Sequence, residues 1–230
     1  MLILLIFLSI SVLLLLTAEK YVALNSQNKI ALYIPGLAKL VASSIFVCFF
    51  YYYAPKLDIF GKSIFIAFSF SFLGDVLLIP KSKNQYFVAG IAAFAIAHLA
   101  FSYAFIQLPI NLLNFLLSAV ISCVAGAAVY LWLRPHLQRK YRIMVPSYLI
   151  IIIIMVTTGI SAGITAGLRV GINSPIMWIA SGSLIFAISD IFVARNRFIK
   201  PKLINRLVGL PLYYTAQIMT GYGAIQVLTL

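Results

Sequence analysis

Residues 111–133 read NLLNFLLSAVISCVAGAAVYLWL, an apolar run without a charged side chain. An α-helix of about 20 apolar residues is long enough to cross the hydrocarbon core of a bilayer. The stretch therefore predicts a transmembrane helix. It also indicates the class of fold, because runs of this kind recur along the chain.

The composition agrees with a membrane protein. The chain is 63% hydrophobic and 9% charged, with a mean hydropathy of +1.09, whereas soluble domains carry about 25% charged residues. We expect an all-α polytopic membrane protein in which residues 1–230 form a single transmembrane domain, because no polar stretch is long enough for a soluble one. The apolar runs predict about eight helices in one bundle, at residues 2–18, 31–54, 62–79, 86–107, 111–133, 143–168, 172–194 and 203–229.

The N-terminal run has neither a basic segment nor a clear cleavage site, so we expect a retained first helix. No internal repeat is evident. The cysteines Cys48 and Cys123 lie within apolar runs and are expected to be packing residues that form no disulfide. In the sixth run, Gly159, Gly163 and Gly167 follow one another at intervals of four residues and predict close approach of a neighbouring helix.

The net charge of +13 does not indicate nucleic-acid binding, because the basic residues lie between apolar runs. Cytoplasmic loops of membrane proteins are rich in Lys and Arg. The loops after the first, third, fifth and seventh runs carry most of these residues, and the other loops carry only Lys56, Lys62 and Arg169. We therefore expect the basic loops in the cytoplasm and both termini on the opposite side of a bacterial plasma membrane. The basic loops contain Lys20, Lys29, Lys81, Lys83, Arg134, Arg139, Lys140, Arg142, Arg195, Arg197, Lys200, Lys202 and Arg206.

Two of the four acidic residues are candidates for chemistry. Glu19 and Asp58 lie near the ends of runs and are expected to be solvated. Asp75 and Asp190 lie inside apolar runs, where an ionisable side chain costs about 2.5–3.5 kcal/mol and commonly has a functional role. Both are expected about 7 Å inside the cytoplasmic boundary, at ~1.5 Å per residue. Two carboxyls close together at that depth would leave one protonated and the other ionised, which supplies a general acid and a general base.

Other polar residues in the apolar runs could belong to the same site. Lys39 could bind a ligand, pair with an aspartate or extend to the interface. His98 could be a structural or a catalytic histidine. The eighth run carries a polar stripe at helical spacing, which could bond between helices or contact a ligand: Tyr213, Tyr214, Gln217 and Thr220.

Several familiar chemistries are excluded. Two histidines cannot form a three-histidine zinc site. The sequence has no phosphate-binding loop, dinucleotide fingerprint or Gly-x-Ser-x-Gly turn. No metal or cofactor is expected.

The sequence resembles the YhhN family of multispanning membrane proteins. The similarity lies in FSFSFLGDVLL at 68–78, in the segment from Gly90 to Leu99 with its His98, in SGSLIFAISD at 181–190, and in Asn196, Arg197 and Phe198. Lys39 and the segment YYTAQ at 213–217 also fit the family, so the resemblance covers most of the chain.

The resemblance implies a lysoplasmalogenase, which hydrolyses the vinyl ether bond of a lysophospholipid to a fatty aldehyde and a glycerophospho-ethanolamine or -choline. It implies that Asp75 and Asp190 are catalytic. This reaction needs one acid to protonate the alkene and one carboxylate to stabilise the cation and activate water, as glycosidases do. Lys39 or Arg195 could hold the phosphate, and His98, Tyr213, Tyr214 and Gln217 could line the substrate site.

Two other functions start from the same aspartates. An intramembrane aspartyl protease also places two aspartates on neighbouring helices, but Leu73-Gly74-Asp75 lacks the additional glycine of its usual motif. A proton-coupled transporter could use the aspartates as a proton relay, although the sequence shows no clear inverted repeat.

Overall fold

The computed structural model describes residues 2–24, 34–54, 57–80 and 84–230. Lys29, Pro55, Lys56, Lys81 and Lys83 lie outside these ranges. The all-α prediction is confirmed: the described residues form eight α-helices. Their bounds are α1 Leu2–Leu24, α2 Ile34–Tyr53, α3 Ile59–Leu77, α4 Asn84–Phe105, α5 Leu112–Leu133, α6 Met144–Val170, α7 Pro175–Ala194 and α8 Leu203–Leu228.

Residues at the ends of several helices explain where these helices begin or end. Asp58 accepts a hydrogen bond from the backbone N–H of Gly61 (2.7 Å) at the start of α3, and it remains solvent-exposed as expected. Asn111 caps α5 in the same way through the N–H of Leu113 (2.9 Å). These caps bond N–H groups that have no partner within the first turn of a helix. Helix α6 ends at Gly171, whose φ of 92° suits a residue without a Cβ.

Seven of the helices close into a ring. Along the ring, α1 packs on α2, α2 on α3, α3 on α4, α4 on α6, α6 on α7 and α7 on α8, which returns to α1 and α2. Helix α5 packs on α6 from outside the ring. Most α5 side chains are exposed, as expected for a helix surrounded by lipid.

Six helices in the described ranges, α2 to α7, are long and apolar enough to cross a membrane. The protein is therefore a polytopic membrane protein. Helix α8 is more polar, because it carries the polar stripe predicted from the sequence. This stripe faces the inside of the bundle, where Tyr213, Tyr214, Gln217 and Thr220 are all buried. Burial against other helices lets polar groups find partners away from lipid.

The glycines of α6 confirm the predicted close approach. They face α7, and a Cβ at Gly163 would overlap the Cβ of Ala180, while one at Gly159 would meet the side chain of Ser183. Small residues on both helices let the two backbones lie close together.

Two smaller predictions are wrong. Glu19 is buried rather than solvated, because Arg206 of α8 donates to its carboxylate (2.6 Å). This neutralisation lets α1 continue to Leu24 instead of ending near residue 18. Cys48 and Cys123 are free thiols as expected, but both are exposed on the outside of the bundle and do not pack in its core.

Candidate functional site: two carboxyls inside the helix bundle

Asp75 lies near the end of α3, and three side chains point at its carboxylate. Lys39 Nζ of α2 is 2.9 Å from Oδ1. The hydroxyl of Tyr213 on α8 donates to Oδ2 (2.8 Å), and Ser43 Oγ, one turn after Lys39, donates to the same oxygen through a short hydrogen bond. The Asp75 side chain is only 2% exposed.

Tyr214 joins the same network from α8. Its hydroxyl lies 3.2 Å from Ser43 Oγ and donates to the backbone carbonyl of Lys39 (3.3 Å). Helices α2, α3 and α8 are thereby tied together around one carboxyl.

The partners of Asp75 are all hydrogen donors. An ammonium and two hydroxyl donors all direct hydrogens at the carboxylate oxygens, and charge-assisted hydrogen bonds of this kind are among the strongest in proteins. Lys39 supplies a cation directly beside this buried carboxyl.

Asp190 lies in the last turns of α7 and has different partners. The hydroxyl of Tyr148 on α6 donates to Oδ2 (2.8 Å). His98 Nε2 of α4 lies 3.2 Å from the same oxygen and 3.0 Å from the Tyr148 hydroxyl. The other ring nitrogen, Nδ1, lies 3.1 Å from the thioether sulfur of Met155. The Asp190 side chain is 14% exposed, so this carboxyl is more accessible than that of Asp75.

The two carboxyls belong to separate networks that touch through aromatic rings. Within the described residues, no side chain hydrogen-bonds to both aspartates. Phe186 packs on His98 (4.7 Å between ring centroids) and on Tyr213 (5.2 Å). Phe94 packs on both Phe186 and Tyr213. An apolar chain of rings therefore connects the site of Asp75 with the site of Asp190.

Most of the residues singled out in the sequence lie in these networks, but Gln217, Thr220 and Arg195 do not. Gln217 and Thr220 are buried on the same face of α8 as Tyr213, one and two turns further along. Arg195 follows α7 directly and is half-buried. Within the described part of the chain, its side chain makes no hydrogen bond or ion pair with either aspartate.

Sequence reasoning missed Ser43, Tyr148 and Met155. Ser43 could have been found from its position one turn after Lys39. Tyr148 and Met155 gave no comparable signal, because tyrosine and methionine are ordinary residues of an apolar helix.

Arg197 follows α7 and belongs to a cluster that joins the start of α4, the turn before α6 and the turn after α7. Its guanidinium lies over the ring of Phe87 (4.1 Å to the centroid) and donates to Asn84 Oδ1 and to the hydroxyl of Tyr141, both at 3.1 Å. Phe198 packs on Tyr141 (5.2 Å). Arg197 therefore fixes the starts of α4 and α6 relative to the turn after α7.

The two networks have matching architecture. Asp75 of α3 has partners on α2 and α8, and Asp190 of α7 has partners on α6 and α4. Adding four to a helix number converts α2, α3 and α4 into α6, α7 and α8. The spacing along the chain from Asp75 to His98 equals that from Asp190 to Tyr213. The chain can thus be divided into a first half, α1 to α4, and a second half, α5 to α8. The last helix of each half contributes a side chain to the aspartate site of the other half.

The fold and the two sites define the chain as a polytopic helical membrane protein with a pair of internally bonded carboxyls. Comparison with known families is more specific. The chain belongs to the YhhN family, whose family model matches residues 36–223. Both aspartates and their hydrogen-bond partners lie within that match.

Named relatives occur in mammals and bacteria. The chain is 31% identical over 167 residues to human lysoplasmalogenase TMEM86A, which covers 71% of this chain and 65% of the human protein. The bovine protein of the same name is 29% identical over the same length. A lysoplasmalogenase of Mycobacterium bovis is 30% identical over 159 residues, which covers 67% of this chain and 54% of the relative.

The chain thus aligns with 54–65% of the length of these relatives. No solved structure matches it.

Proposed function

We propose that this protein is a membrane-embedded lysoplasmalogenase that uses Asp75 and Asp190 as its acid and base. The observation that carries the proposal is that the acids inside the membrane-spanning helices α3 and α7, Asp75 and Asp190, are each fixed by a dedicated network. Carboxyls inside a membrane protein are costly and seldom lack a function. Membership of the YhhN family and relatives named lysoplasmalogenase supply the reaction class.

The reaction suits two carboxyls without further groups. A protonated acid gives its proton to the outer alkene carbon of the vinyl ether, and the alkene electron pair forms the new C–H bond. The ether oxygen then shares its lone pair to give an oxocarbenium ion, which a carboxylate stabilises. Water attacks the carbon next to oxygen and loses a proton to a carboxylate. The hemiacetal hydroxyl then loses its proton as its oxygen forms the carbonyl double bond, the bond to the glycerol oxygen breaks, and that oxygen takes up a proton, which releases the fatty aldehyde.

The bilayer would position the substrate. In the proposed orientation, the basic loops face the cytoplasm and both termini face the other side of a bacterial plasma membrane. The aspartates then lie at the cytoplasmic ends of α3 and α7. The vinyl ether bond of a lysophospholipid lies next to the glycerol, just beneath the head group, and so at the depth of these ends. Lys39 and Arg195 are the proposed cations for the phosphate, while His98, Tyr213, Tyr214 and Gln217 line the site.

Aldehyde release tests the proposal. The purified protein in lipid nanodiscs is offered vinyl-ether, alkyl-ether and acyl lysophospholipids, and we expect aldehyde only from the vinyl ether. Asp75→Asn and Asp190→Asn should each lower the rate by about 10²- to 10⁴-fold, the usual contribution of a general acid or base.

Asp58→Asn is the matched control, because it removes an exposed carboxylate and leaves a residue that still caps α3. Size-exclusion chromatography shows whether each variant remains folded. Full activity of either Asp75→Asn or Asp190→Asn would contradict the mechanism. Proton-driven uptake into liposomes without hydrolysis would favour a transporter, and cleavage of a transmembrane peptide would favour a protease.

A further inference from the structure

The hydrogen-bond partners of His98 determine which of its ring nitrogens carries hydrogen. Nδ1 lies 3.1 Å from the sulfur of Met155. A thioether has lone pairs but no hydrogen to donate, so a polar contact at this distance requires the hydrogen on Nδ1. The bond made by one ring nitrogen fixes the state of the other. In neutral His98, Nε2 is therefore the unprotonated nitrogen.

This assignment places three acceptors together at Asp190. Nε2 of His98, Oδ2 of Asp190 and the oxygen of Tyr148 lie 2.8–3.2 Å from one another. Tyr148 has a single hydroxyl hydrogen, which it donates to Oδ2 over the shortest of the three distances. The lone pairs of Nε2 and Oδ2 would then face each other in a buried site, unless a second hydrogen lies between them.

We propose that Asp190 and His98 share one dissociable proton, and that Met155 and Tyr148 are the positioning residues that hold it there. The proton lies between Oδ2 and Nε2, on either atom. Asp75 differs, because Lys39, Ser43 and Tyr213 all donate to it and leave no position that favours an added proton.

The inference rests on the proposed function in one respect, the assignment of roles. The shared proton makes Asp190 the acid that protonates the alkene carbon, and Asp75 the ionised carboxylate. After transfer, Asp190 is left as a carboxylate that accepts a proton from the attacking water, so the pair regains its proton in each cycle. The greater exposure of Asp190 agrees with contact with the substrate.

The state of His98 can be measured without any substrate. The chain has two histidines, and the second, His136, is exposed in the turn after α5. A His136→Gln background therefore leaves one histidine signal in protein labelled with ¹⁵N-histidine. We expect the protein in nanodiscs to show a protonated Nδ1. Met155→Leu, which keeps the volume and removes the acceptor, should shift the hydrogen to Nε2.

Met177→Leu is the matched control, because the Met177 sulfur lies beside Gly163 and Gly167 at the far end of the same interface between α6 and α7. It should leave the histidine spectrum unchanged. An unprotonated Nδ1 in the parent protein, or the same spectrum in Met155→Leu, would overturn the inference.

Kinetics separate this inference from the proposed function. If the protein releases aldehyde, Met155→Leu and Tyr148→Phe should each lower kcat by ~10-fold or more with little change in KM, since they disturb the acid and not the binding of lipid. Equal kcat values for these variants and Met177→Leu would contradict the assignment of Asp190 as the acid. If no aldehyde is released, the spectrum of His98 still decides whether Nδ1 carries the hydrogen on which the shared proton depends.

Discussion

At the scale of single residues, the two aspartates have opposite surroundings. Asp75 receives hydrogens from a cation and two hydroxyls, whereas Asp190 has a tyrosine donor and a histidine nitrogen. The type of residue that faces each carboxyl, rather than the carboxyl itself, thus distinguishes the two sites.

The ion pair of Lys39 and Asp75 gives the first prediction at this scale. Lys39→Met leaves a buried carboxylate without its cation, which costs about 3–5 kcal/mol. We expect a marked loss of stability towards denaturing detergent, and a smaller loss in the double variant Lys39→Met/Asp75→Asn, because neither charge then remains unpaired.

Lys62→Met is the control for this cycle, since Lys62 is an exposed lysine of α3. It should cost little. Additive losses from the two single variants would show that Lys39 and Asp75 do not stabilise each other.

The sequence identified the aspartates but not all of their partners. An acid among Phe, Leu and Ile is conspicuous, and Asp75, Asp190 and Lys39 could be recognised for that reason. Tyr148 and Met155 could not, because their role depends on the angle at which α6 faces His98. That angle is a result of packing between helices distant in the sequence.

At the scale of helices, the sequence predicted which segments form helices better than it predicted the residues at which they end. Apolar runs predicted every helix, because the bilayer requires backbone groups to bond within each segment. The end of α1 was missed, because Glu19 is neutralised by Arg206 far along the chain. A charged residue ends an apolar run in the sequence, but it need not end the helix.

The contact between α6 and α7 gives the prediction at this scale. Gly163→Val places side-chain atoms where the backbones meet at Ala180. Such overpacking costs about 1–3 kcal/mol, so the melting temperature in detergent should fall.

Ala127→Val provides the comparison, because Ala127 is an exposed small residue of α5 that faces away from the bundle. It adds two methyl groups, as Gly163→Val does beyond its Cβ, but has no neighbour to displace. A melting temperature lowered equally by both variants would show that the glycine contact is not tight.

At the scale of the whole molecule, the orientation in the membrane is open to direct test. A reporter enzyme that is active only outside the cytoplasm should be active when it is fused after Leu230. It should be inactive when it is inserted between Arg139 and Lys140, in the basic turn between α5 and α6. An insertion after Gly171, in the turn between α6 and α7, should behave like the C-terminal fusion. The reverse pattern would place the basic loops, and with them both aspartates, on the other side of the membrane.

Each aspartate site contains a side chain from the other half of the chain, and this has a consequence for how the sites lose their hydrogen bonds. His98 of the first half completes the site of Asp190, and Tyr213 of the second half completes that of Asp75. Any displacement that moves α4 and α8 away from the opposite half therefore breaks both networks together. Neither half of the chain holds all the partners of its own aspartate, so a separation of the halves would be recorded at both carboxyls at once.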